Sequence, residues 1–176
     1  MAKRRLLASL FLVLLVVAVQ GQNGEYAHEQ TAFSQADPIL HPVPLPPQVL
    51  KLLLQRSEVK ANMVFASDSE RAQPAQLFTA SETHLGVLSK EDLVVAGHGA
   101  MSGADNDWFW VVRSAYKSPK VVLFAGGYSL EFMKAKTNGY RDIRSVWSSP
   151  SETETKIYKF DGIRYKLCRE KWSKNL

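Results

Sequence analysis

His98 stands between Gly97 and Gly99, four residues before Ser102 and close in the chain to Asp92, Asp105 and Asp107. Imidazole, hydroxyl and carboxylate are the groups of nucleophilic hydrolysis, where a base must meet both a nucleophile and an orienting acid. No Gly-x-Ser-x-Gly elbow surrounds Ser102, so the local frame that would hold such a set is missing. The flanking glycines predict a turned backbone with an exposed ring. A loop role is the plain reading of His98, a hydrolase site around it is the alternative, and no catalytic residue is assigned. Asp105-Asn106-Asp107 offers oxygen ligands for a hard cation, but without the spacing of a calcium loop. His28, His41, His84 and His98 are scattered, and Cys168 is the single cysteine. Zinc-ligand spacing is absent, and neither metal nor cofactor is expected.

Two other groups of residues suit binding. Trp108-Phe109-Trp110 places two indoles on one side of a strand and a phenyl ring on the other. Such a strand is either central and covered on both faces, or it presents Trp108 and Trp110 as an aromatic platform for glycan or peptide. Lys156–Lys174 carries seven basic and two acidic residues, interleaved with Tyr158, Phe160, Tyr165 and Trp172. A polyanion would be attracted to that stretch. It is either a solvated face or a contact surface for an acidic protein or polymer.

The compartment narrows the choice of partner. Lys3, Arg4 and Arg5 precede a run over Leu6–Val19 that is apolar except for Ser9. On a helix that run rises about 21 Å, short of a hydrocarbon core of about 30 Å. It predicts a signal peptide over 1–21, cleaved before Gln22, and no stable membrane span afterwards. The protein is then periplasmic or secreted, which argues against nucleic acid. A single cysteine forms no internal disulfide, so the exported domain must rest on hydrophobic burial, as in a bacterial envelope protein. Residues 22–112 hold 5 basic and 11 acidic side chains, whereas 113–176 hold 14 and 6. This asymmetry either steers an acidic partner or is neutralised as the halves pack. No feature specifies an oligomeric state.

The elements that must position these residues follow from pattern. Residues 22–46 read as a Pro-rich linker, extended over His41–Pro46. One amphipathic helix is expected over Pro47–Lys60, with Pro47 at its first position and Leu50, Leu53 and Leu54 on one face. Asn62–Pro74 leaves room for a short second element. From Ala75 the apolar period falls to two, which predicts strands. Gly126-Gly127, Asn138-Gly139 and Asp161-Gly162 read as two-residue hairpin turns. Candidate strands begin at Gln76–Thr79, Leu93–Ala96 and Trp108–Arg113. The expected fold is α+β and β-rich: an antiparallel meander of about seven or eight strands preceded by one helix, a single domain over 47–176.

In the last hairpin, a two-residue loop puts Phe160 opposite Ile163 and Tyr158 opposite Tyr165. Those four are expected to be buried. Lys159, Arg164 and Lys166 then project from the other face as the candidate contact surface.

Asp92-Leu93-Val94-Val95-Ala96-Gly97 and Trp108-Phe109-Trp110-Val111-Val112-Arg113, followed by Thr137-Asn138-Gly139-Tyr140-Arg141-Asp142-Ile143 and Tyr158-Lys159-Phe160-Asp161-Gly162-Ile163-Arg164-Tyr165, resemble small exported bacterial proteins of no established function. The resemblance covers about half of the mature chain and implies no activity. More distantly, the chain is similar to FG-GAP propeller repeats, in which an Asn-Gly turn leads to an Asp-Ile or Asp-Leu strand. It lacks their Asp-x-Asn-x-Asp-Gly calcium loop. The expectation is a non-catalytic binding or inhibitor-like domain of the bacterial envelope.

Overall fold

The computed structural model describes residues 29–36, 39–86, 89, 91–103 and 106–175. The expected signal peptide over 1–21, and residues 22–28 of the expected linker, lie outside these. Ten strands follow one another: β1 (Ala32–Ser34), β2 (Pro42–Val43), β3 (Phe78–Thr83), β4 (Asp92–Gly97), β5 (Asp107–Arg113), β6 (Lys120–Gly127), β7 (Ser129–Thr137), β8 (Tyr140–Ser148), β9 (Glu152–Phe160) and β10 (Tyr165–Lys174). Three short helices lie between β2 and β3: α1 (Pro47–Leu54), α2 (Ser57–Asn62) and α3 (Asp68–Ala72). The strands form two antiparallel five-stranded sheets, ordered β2-β3-β4-β5-β6 and β1-β7-β8-β9-β10. The chain is β-rich with few helices, as expected, but two sheets replace the single meander of seven or eight strands.

The difference arises at Gly126-Gly127. Neither glycine takes the positive φ of a tight hairpin turn. β6 instead runs on through Gly127, and the chain crosses to the second sheet, where β7 begins at Ser129. The crossing is close. A Cβ on Gly127 would lie 2.6 Å from the Val146 carbonyl oxygen in β8. The next glycine turn behaves as expected. Asn138 and Gly139 have φ of 53° and 80°, and Thr137 pairs with Tyr140 around them.

The proline-rich stretch is more than a linker. Phe33 in β1 is buried, and β1 pairs with β7 at the edge of the second sheet. β2 pairs with β3 at the edge of the first. Proline suits such an edge because its missing N–H is not needed on the outer side. The single helix expected over Pro47–Lys60 is broken at Gln55-Arg56. Arg56 is extended, with φ −73° and ψ 144°, and caps the start of α2. The break lets Val49 and Leu53 of α1 and Val59 of α2 all reach the same buried cluster.

The first sheet is therefore the middle of three layers. All six residues of β4 are buried. On β5, Trp110 and Val112 face the helices and pack with Leu53, Val59 and Phe78. Phe109 and Val111 face the second sheet and pack with Phe33, Phe132, Ile143 and Phe160. Burying each large apolar side chain contributes roughly 1.5–3 kcal/mol, so both faces of β5 carry much of the stability. On the second sheet, most of β10 is exposed.

The Gly127 contact should set the sheet crossing. Gly127→Ala must displace backbone atoms of the opposite sheet and should cost about 1–3 kcal/mol. Gly162→Ala meets open space but sits at φ +105°, and should cost about 1 kcal/mol. Urea midpoints of the two variants test this. An unchanged midpoint for Gly127→Ala would contradict the close crossing.

Candidate functional site

The C-terminal hairpin differs from the expected register. Phe160 pairs with Tyr165, Lys159 with Lys166 and Tyr158 with Leu167. Four residues, not two, form the loop. Asp161 organises it: its Oδ1 accepts from the amides of Ile163 at 2.8 Å and Arg164 at 2.9 Å, and the Asp161 amide donates to the Arg164 carbonyl at 3.0 Å. Lys166 Nζ lies 2.9 Å from Asp161 Oδ2. The Arg164 amide, Lys166 and the Ile163 amide together hold the Asp161 carboxyl well below the usual carboxylate range. Asx turns of this kind offer a local alternative to the two-residue glycine turn.

The pairing is two residues away from the expected one. A strand has a period of two, so most face assignments survive the shift. Phe160 and Tyr165 are buried, and Tyr158 packs against the same cluster. Ile163, expected in the core, is instead in the loop and 80% exposed. Arg164 likewise sits in the loop rather than on the strand. Lys159 and Lys166 stand directly opposite each other on the outer face.

Beyond Leu167 the strand bulges at Cys168, after which Ile157 pairs with Arg169 and Thr155 with Lys171. The bulge returns Arg169 and Lys171 to the outer face beside Lys159 and Lys166. These two cations belong to the same surface; the basic stretch over Lys156–Lys174 includes them, but the sequence pattern did not place them on this face. Their alternation with Lys166 is broken only by the extra residue, which no local motif marks. Among the described residues, no carboxylate lies within 4.0 Å of the charged groups of Lys159, Arg164, Arg169 or Lys171. Like charges in adjacent cross-strand positions are destabilising.

Trp108 and Trp110 are placed otherwise. Trp110 is wholly buried, stacked on Phe124 with ring centroids 5.4 Å apart, and its Nε1 donates to Glu58 Oε1 at 3.1 Å. Burial raises the Glu58 carboxyl, but Arg56 and Trp110 outweigh it and hold the group below its ordinary value. Trp108 is half-buried and packs edge-on against Trp110 and Phe124. With α1 and α2 over this face, no platform of two exposed indoles exists; the covered central strand is the arrangement found.

The His98 region forms a depression of about 260 Å³, lined by Phe33, Ile39, Ala96, His98, Ser102 and Asp107 among others. The fold thus gathers the imidazole, hydroxyl and carboxylate singled out by type. Their hydrogen bonds run elsewhere. His98 Nε2 meets Thr79 Oγ1 at 2.7 Å, and Ser102 Oγ donates to the Gly99 carbonyl at 3.1 Å. Burial raises the Asp107 carboxyl, and His98 offsets part of that. This is not the base–nucleophile contact of a hydrolase. Asn106 serves the fold: its side chain exchanges two hydrogen bonds with the Ser148 backbone. Asp105 lies outside the described residues. Among the described residues, no three metal-ligating side chains converge.

Asp92 lies at the other end of β4 from His98 and is 3% exposed. Its Oδ1 accepts from the Ser114 amide at 3.2 Å, while Oδ2 lacks a partner. Asp142 Oδ1 and Arg113 Nε are also buried without partners, and Arg113 lies over the Tyr140 ring. Burial, together with Asp92 and Asp142, pushes the Tyr165 hydroxyl far up, and that hydroxyl donates to the Arg141 carbonyl at 2.8 Å. This polar cluster joins the two sheets under the basic hairpin.

A groove of about 380 Å³ runs between the edge of β6 and the hairpin. Residues 121–124 of β6 line it together with Tyr158, Tyr165 and Leu167 of the hairpin, and Arg56, Arg164 and Lys166 also line it. Comparison with protein-family models, curated proteins and solved structures finds no match. The assignment of a role therefore rests on this geometry.

The Asp92 carboxyl makes the cluster pH-dependent. Burial, partly offset by the nearby Ser89 hydroxyl and the Ser114 amide, raises its pKa in the fold. The folded chain then binds that proton more tightly than the unfolded chain, whose aspartate titrates near about 3.9. The stability from this group is full below that value and is lost as pH rises through the raised one. Asp92→Asn cannot ionise. Its stability relative to the parent should therefore increase between about pH 4 and pH 7, as read from denaturant midpoints. A difference that is constant, or that falls, would contradict the buried-carboxylate account.

Proposed function

We propose that this chain is a non-catalytic binding domain, exported to the bacterial envelope or beyond, whose basic C-terminal hairpin contacts an acidic protein or polymer. One observation carries the reading. Lys159 and Lys166 stand opposite each other, Arg169 and Lys171 continue the same face, and among the described residues the one carboxylate in contact is Asp161 on Lys166. Repulsion within this face works against folding. An acidic partner relieves it, and the cluster attracts such a partner from a distance. Arg164 adds a cation at the loop end. Export rests on the basic and apolar pattern of residues 1–21 and makes nucleic acid an unsuitable partner. No helix among the described residues is long and apolar enough to cross a membrane.

The hydrolase alternative around His98 draws support from the depression that holds His98, Ser102 and Asp107. The bonds of His98 to Thr79 and of Ser102 to Gly99 weigh against it.

Each exposed ion pair is worth only about 0–1 kcal/mol, so the surface acts mainly by steering. The Debye length is about 8 Å at physiological ionic strength, which makes binding salt-sensitive. The test replaces Lys159, Arg164 and Lys166 with serine and measures affinity for poly-L-glutamate at low and high salt. These side chains lie outside the core, so the fold should persist. The parent should bind at low salt and weaken with salt, and the variant should bind at least about tenfold more weakly, a loss of about 1.4 kcal/mol. Equal affinity of parent and variant at low salt would overturn the proposal.

A further inference from the structure

Among the described residues, β6 is the last strand of its sheet, paired with β5 on one side only. Natural edge strands are blunted by charges, prolines or bulges. β10 follows that rule: it carries Lys166, Arg169, Lys171 and Lys174, and it bulges at Cys168. β6 is blunted at its start, by Lys120 and by the irregularity at Val122. From Leu123 to Gly127 it has no charge, proline or bulge. Turn and loop backbone bonds among the described residues include none from Val121 to Gly127. The groove between β6 and the hairpin runs along this open edge.

The geometry points to β6 as a docking edge for an extended acidic peptide of another protein, which adds a sixth strand to the middle sheet. A free strand edge presents alternating amides and carbonyls, and another extended backbone satisfies them. The groove supplies selectivity. One face of an added strand would look onto Tyr158 and Leu167, an apolar floor. Arg56, Arg164 and Lys166 line the same groove; Arg56 pairs with Glu58 and Lys166 with Asp161, and Arg164 is the cation there with no ion-pair partner among the described residues. The acids Glu154 and Glu170 stand further along the hairpin, where Lys156 holds Glu154 at 2.7 Å and Trp172 donates to Glu170 at 2.8 Å. A segment alternating apolar and acidic side chains matches this wall chemistry, because alternate residues of a strand face opposite ways. A second copy of this chain would bring its own basic hairpin against the first, which the charge disfavours.

The inference rests on the binding role of the hairpin, and the experiment separates the two. It uses the exported chain and a fluorescein-labelled peptide alternating glutamate and valine. Two further copies carry N-methyl groups on alternate backbone nitrogens, one copy for each strand edge. A fourth has lysine in place of glutamate. Anisotropy reads binding, and amide hydrogen exchange reads the site. The glutamate peptide should bind and slow exchange within Val121–Gly127. At least one methylated copy, and the lysine copy, should bind at least about tenfold more weakly. If both methylated copies bind as well as the parent peptide, strand addition is overturned while the basic surface stands. Protection confined to β10, or β6 protected by self-association without peptide, also overturns it. No binding by any glutamate peptide overturns both the edge and the acidic-partner reading.

Discussion

Everything in this fold depends on burying β5 from both sides. A strand that carries Trp108, Phe109 and Trp110 in succession has no face to give to water. Phe109 and Val111 require a sheet beneath them, and Trp110 and Val112 require a lid above. The lid is the pair α1 and α2, which also supplies the carboxylate for the one polar atom of Trp110, through Glu58. A buried indole whose N–H went unmatched would cost about 1–3 kcal/mol. The break at Gln55-Arg56 follows from the same demand. A continuous helix could not turn both Leu53 and Glu58 onto β5.

The second sheet inherits a different role. It covers one face of the first sheet and exposes its other face and its far edge. Its last hairpin enters the core at the loop end, through Phe160 and Tyr165 beside the Asp161 loop, and its open end is held by Trp172 against Trp147 and by Asn175 on Ser149 and Ser151. Past Tyr165, nine successive residues of β10 are exposed. The basic side chains of the hairpin lie there, and so does the groove toward β6. Stability is concentrated in the middle sheet and helices, which leaves the outer face of the hairpin open to solvent. The cost of its clustered charge is borne by that core.

Local signals made eight of the ten strands legible, because period-two runs and turn residues act over a few positions. The positive φ at Asn138-Gly139 follows from residue type alone. Gly126-Gly127 looked the same in sequence, yet its glycines serve a close approach of two sheets, which depends on Val146 far along the chain. Asp161-Gly162 failed for another reason: the aspartate side chain captures two amides and lengthens the loop. The resulting shift by two residues kept Lys159 and Lys166 outside and moved Ile163 and Arg164 into the loop. β1 and β2 were hidden because three and two residues are too short to show a period, and prolines surround the second. The groove was not readable at all, since β6 and β10 meet only through the packing of the two sheets.

The central claim is that a doubly covered core strand carries the stability while β10, an edge strand exposed beyond Tyr165, adds little to it. Native-state hydrogen exchange of the free protein tests it directly. Amides of β4 and β5 should exchange only through global unfolding, with a denaturant dependence equal to that of the whole molecule. Amides of Leu167–Lys174 should exchange through local opening at a lower free energy, nearly independent of denaturant. Exchange from β5 by local opening, or protection of β10 equal to that of β5, would contradict the account.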